Sequence, residues 1–92
     1  SEETDVSWIE NRQFRSEKAK EIIKNGITPE LVALMRCIYE KRISLAENGK
    51  SLSATDESNF NVCKKLIDEE LSFSLNISES EIPDFIRNYI KV

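Results

Sequence analysis

The residues of this 92-residue chain best equipped for chemistry are clustered carboxylates: Asp56-Glu57, Asp68-Glu69-Glu70, and the pair Glu79 and Glu81. General acid–base catalysis needs two carboxyls held across a cleft with their pKa values driven apart. Adjacent acids on one helix lie side by side instead, so the three clusters read as solvated faces. The chain contains no histidine, which removes the usual general base and the commonest zinc ligand together. Cys37 and Cys63 therefore have no third ligand type for a zinc site and no histidine to activate either thiol. Both sit among apolar neighbours and read as reduced cysteines packed as small hydrophobes. Two glycines leave no phosphate-cradling loop, and Asp68-Glu69-Glu70 lacks the ligand spacing and the glycine of an EF-hand. The sequence thus assigns no catalytic, cofactor-binding or metal residues, and the chain is not read as an enzyme.

Positive charge is the second chemical resource. It gathers at Arg12, Arg15, Lys18, Lys20 and Lys24, and again at Arg36, Lys41 and Arg42. Helices carrying these two groups would merge them into one patch if they are neighbours. The formal charge of −4 is uneven: residues 51–92 carry eight acidic and four basic side chains, which disfavours a phosphate backbone there. A helix-turn-helix would need a recognition helix rich in base-reading polar groups. The candidate, Leu31-Val32-Ala33-Leu34-Met35-Arg36-Cys37-Ile38, is mostly apolar and reads as core. Nucleic acid is therefore the lesser alternative, as a DNA-associated regulator using the basic residues of the first half. Trp8, the only tryptophan, is either a cover for a core edge or an anchor for a partner, since tryptophan is enriched at binding hot spots. The candidate partner-binding residues are Trp8, Arg12, Arg15, Arg36, Lys41 and Arg42.

The elements that must position these residues are helical. Val6, Trp8, Ile9 and Phe14, then Ala19, Ile22 and Ile23, give one helix or two over 7–25. Asp5 or Ser7 is placed to cap the first helix and Ser16 a second, and Asn25-Gly26 closes the segment. The long helix that follows is the most explicit. Thr28 is placed to cap it, Pro29 fits its first position, and Ile27 and Val32 stand as a hydrophobic staple. Leu31, Leu34, Met35, Ile38, Tyr39 and Ile43 then recur every three or four residues until Asn48-Gly49 ends the run. A third pattern starts after Ser53 or Thr55, with Phe60, Cys63, Ile67 and Leu71 on one face and Val62 and Leu66 beside it. Ser80 to Pro83 opens a last helix, with Phe85, Ile86, Tyr89 and Ile90 on its apolar edge.

The fold expectation is all-α: a compact bundle of four or five short helices. Residues 1–6 form a frayed acidic tail and 7–92 a single helical domain. The alternative is α+β, with a hairpin at 43–54 around the Asn48-Gly49 turn and a strand at 71–77, where Leu71, Phe73, Leu75 and Ile77 alternate with polar residues. No stretch approaches the ~20 apolar residues of a membrane span, and nothing resembles a signal peptide, so the expected setting is cytoplasmic. The functional expectation is a non-catalytic helical protein–protein interaction module that regulates, inhibits or adapts. Its partner is another protein, a homodimer is open, and no cofactor or membrane is involved.

Overall fold

The computed structural model describes residues 5–75. Three helices run in order: α1 (Arg12–Asn25), α2 (Thr28–Glu47) and α3 (Ala54–Leu75). Among the described residues there is no strand, so the class is all-α. Three helices stand there in place of the expected four or five. The helix expected from Ser80 lies outside the described residues, as do residues 1–4 of the expected acidic tail.

α1 is one helix, and it starts later than either expected cap. The side chain of Asn11 accepts from the Phe14 N–H at 2.9 Å, which satisfies one of the N–H groups a helix start leaves open. Asp5, Ser7 and Ser16 therefore do not serve as helix starts; residues 5–9 are irregular and Ser16 lies inside α1. The apolar pattern drifts between Gln13 and Lys18 because a charged residue takes the inward position. Arg15, Ala19 and Ile22 follow one another at helical spacing, with Ala19 and Ile22 buried and Arg15 only 15% exposed at its side chain. Gly26 then closes the helix at φ 66°, its N–H bonded to the Ile22 carbonyl at 3.1 Å.

In α2 the N-cap is Ile27, one residue earlier than expected. Its carbonyl accepts from the N–H groups of Glu30 and Leu31 at 2.9 and 3.0 Å, and no side chain caps the helix. Thr28 is consequently the first helical residue and not the cap. The staple position passes to Gly26, which has no side chain, and Ile27 stays 48% exposed. Leu31, Leu34, Met35 and Ile38 are buried as the periodicity predicts.

The α2 terminus excludes the hairpin. Residues 43–47 are helical, the Gly49 N–H bonds the Ala46 carbonyl at 3.0 Å, and the Lys50 N–H bonds the Leu45 carbonyl at 2.8 Å. That is a Schellman closure, with Gly49 at φ 72° as its left-handed residue. Asn-Gly suits both a hairpin and this cap; the half-buried Leu45 packing on the core favours the helix.

Ser53, directly before α3, caps it: its Oγ accepts from the Asp56 N–H at 3.2 Å while its carbonyl accepts from the Glu57 N–H at 3.0 Å. The helix runs through Leu75, so the alternating segment is not a strand as far as that residue. Its alternation does not track burial either: Phe73 is 87% exposed while Leu71 packs against the core. Residues 76 and 77 lie outside the described residues.

α2 and α3 make the most extensive helix pair. Arg42, late in α2, meets Glu57, early in α3, so the two run antiparallel. Met35, Cys63 and Ile67 are the largest fully buried side chains and form the centre of the core, joined by Ala19 and Ile22 from α1 and by Leu52 from the α2–α3 connection. No helix of the described residues is long and apolar enough to cross a membrane.

Candidate interaction site

The first turn of α1 carries Arg15 to the start of α3. Its Nε and Nη2 donate to Oδ1 and Oδ2 of Asp56, both at 2.9 Å. This two-point geometry is the strong form of an ion pair. Asp56 is only 5% exposed, and its Oδ2 also accepts from the Ser53 hydroxyl at 2.8 Å. Burial pushes the Asp56 carboxyl up, but the hydrogen bonds from Arg15 and Ser53 and the Arg15 charge outweigh it, so its pKa falls below the ordinary value. Arg15 moves the opposite way, raised first by the hydrogen bond it gives Asp56.

With two donor positions spent on Asp56, Arg15 turns the third toward the segment that precedes its helix. Nη1 donates to the carbonyls of Ile9 at 2.9 Å and Glu10 at 3.1 Å. The guanidinium also stacks on the Trp8 ring, 4.2 Å from its centroid, and Lys41 of α2 approaches the same ring at 5.3 Å. Cations attract the negative face of an indole ring. Residues 6–9 thus form a short strap over the helices, with Val6 and Trp8 packed partly buried against the core and Ser7 exposed between them. Beneath the strap lies a cavity of about 20 Å³, lined by Val6, Trp8, Ala19, Leu34, Cys37 and Ile38 among others. It has room for about one water molecule.

Of the six candidate residues, the structure brings Trp8, Arg15 and Lys41 together. Arg42 is engaged elsewhere, paired with Glu57 at 2.8 Å and stacked on Phe60 at 4.4 Å. Arg36 is exposed and paired with Glu40 on its own helix at 3.5 Å. Arg12 lines a separate groove with Ser16, Lys20 and Thr55. The merged basic patch therefore does not form as expected. Arg15 is neutralised by Asp56, and Arg36 and Arg42 hold carboxylates of their own.

Two expectations about single residues change. Asp56 belongs to a carboxylate cluster read as solvated, yet it is the buried partner of Arg15. Ser53-x-x-Asp56 is a capping pattern visible in the sequence, but its ion-pair partner stands 41 residues away and no local pattern links the two. The cysteines also divide. Cys63 is fully buried, its pKa pushed up to about 11 by that burial. Cys37 is half-buried at the strap cavity, its pKa raised first by burial and then by Glu40.

No protein-family model, curated protein sequence or solved structure matches the chain.

Proposed function

We propose that the chain is a non-catalytic protein–protein interaction module whose binding face is the strap and the α1–α2 surface beneath it. One observation carries this reading: the helical body already holds a non-helical segment of chain through side-chain groups. Arg15 takes two successive carbonyls and one face of an indole ring, and Lys41 approaches the same ring. These are the means by which proteins recognise peptides: donors for backbone carbonyls and a socket for an aromatic anchor. A cytoplasmic setting accords with two cysteines that remain unpaired.

Capture of a defined partner on the immobilised chain tests the reading. Binding that survives moderate salt and is lost in Lys41→Glu supports it. Retention on DNA that vanishes with salt, with no protein bound at the Trp8 face, would move the function to nucleic acid.

A further inference from the structure

We infer that the slot between α1 and α2 is a binding site for an extended peptide, that the chain's own strap is its resting occupant, and that a partner protein displaces the strap with an aliphatic-x-Trp segment of its own. The inference deepens the interaction-module reading and rests on it.

The slot is built independently of the strap. Arg15 is fixed by Asp56, and Asp56 by the Ser53 hydroxyl at the start of α3. None of these three bonds involves residues 5–10. A donor held in place before the peptide arrives loses little freedom on binding it.

Nothing about the recognition requires the strap to be continuous with α1. Arg15 reads two carbonyls, which every peptide offers, and the Trp8 ring, which any tryptophan supplies. Val6 and Trp8 pack partly buried against the core on either side of exposed Ser7, and Ile9 after them is half-buried. This sets the pattern required of a competitor: an aliphatic residue, any residue, then tryptophan.

The strap is also lightly held. Among the described residues no backbone–backbone hydrogen bond joins residues 5–10 to the helices. Two side-chain donations, an indole ring approached by Arg15 and Lys41, and the partly buried side chains of Val6, Trp8 and Ile9 make up its attachment, and a cavity of about 20 Å³ remains beneath it. A side chain larger than valine entering there would gain contacts that the strap lacks.

The geometry favours a partner protein over a second copy. Asn11, directly after the strap, is pinned as the α1 cap, and the Glu10 carbonyl is already bonded to Arg15. Exchange of straps between two copies would bring two Glu10–Asn11 junctions to one place. A free peptide has no such constraint. It must only outcompete a segment held at high effective concentration by its short tether.

The test uses the full-length Trp8→Ala chain and an acetylated, amidated hexapeptide of residues 5–10, which then carries the only tryptophan in solution. A saturable blue shift of its emission, with protection from acrylamide, is expected. A hexapeptide with alanine for tryptophan should not compete, and a fluorescein-labelled hexapeptide should bind the unaltered chain at least about tenfold more weakly, because the strap competes. No saturable binding to a Trp8→Ala chain that remains helical by circular dichroism would overturn the inference. Should Trp8→Ala unfold, anisotropy of the labelled hexapeptide with the unaltered chain decides alone, and absence of binding at millimolar chain overturns it. A strap-dependent dimer of the unaltered chain in sedimentation would overturn the choice of a partner protein and make a second copy the occupant. Partner capture that depends on Lys41, without hexapeptide binding, would sink this inference and leave the module reading standing. Failure of both would sink both.

Discussion

Arg15 and Asp56 stand 41 residues apart and meet through two parallel hydrogen bonds of 2.9 Å. The contact joins the first turn of α1 to the first turn of α3. Because the same guanidinium holds the Ile9 and Glu10 carbonyls, the position of the strap is tied to the start of α3. The pair is largely out of water, so its value lies less in net stability than in what happens when one half is removed.

Asp56→Ala should destabilise the protein by about 3 kcal/mol, because it leaves a largely buried guanidinium without its partner. The double variant Arg15→Met, Asp56→Ala should lose less than the sum of the two single changes. Urea titrations of the four proteins check this. Strict additivity would show that the pair does not couple the helices.

The pH dependence follows from the direction of the Asp56 shift. Its folded-state pKa lies below the ordinary value of 3.8, so the stabilisation is fully present above that value. It is lost as the pH falls through the lower, folded-state pKa. Urea midpoints measured from about pH 6 down to about pH 2 should therefore fall more steeply for the natural chain than for Asp56→Asn. Parallel curves would contradict the assignment.

The thiols should separate. Cys63 is sealed in the core with a pKa of about 11, so a bulky reagent should reach it only on unfolding. Cys37 lines the strap cavity and should label at an intermediate rate in the Cys63→Ser chain, faster still when Trp8→Ala is added. Labelling time courses of the single-thiol chains measure this; equal rates with and without Trp8 would show that the strap does not shield Cys37.

At the α1–α2 junction the two turn residues should behave oppositely. Gly26 holds φ 66° with open space around the position of a Cβ, so Gly26→Val is strained through the backbone alone, by about 1–2 kcal/mol. Thr28→Ala removes no capping bond, since none is made, and should change stability by less than about 0.5 kcal/mol. Thermal melts of both variants decide the order. A larger loss at Thr28 would restore it as a cap.

Ser53→Ala removes both the acceptor for the Asp56 N–H and a donor to its carboxylate. A loss of about 1–2 kcal/mol is expected, accompanied by a Trp8 emission shift if Asp56 transmits the change through Arg15. A silent Trp8 signal would confine Ser53 to a local capping role.

Local chemistry by itself determined the left-handed closure at Gly26 and the inward stripe from Leu31 to Ile38, and it narrowed the start of α3 to Ser53 or Thr55. Helix periodicity, left-handed glycines and side-chain caps act within a few residues, so a linear chain displays them. Tertiary structure decided what depends on partners distant in sequence. Asn48-Gly49 and the alternation from Leu71 to Leu75 fit a strand as well as a helix, and packing on the core chose the helix. Arg15 has the look of one solvated cation among several, and Asp56 that of one exposed acid beside another. Only the fold brings them within hydrogen-bonding distance, and a charge enters the interior when an opposite charge is already held there to receive it. The convergence of Trp8, Arg15 and Lys41, and the engagement of Arg42 with Glu57, arose the same way, from the docking of helices whose contacts no local pattern records.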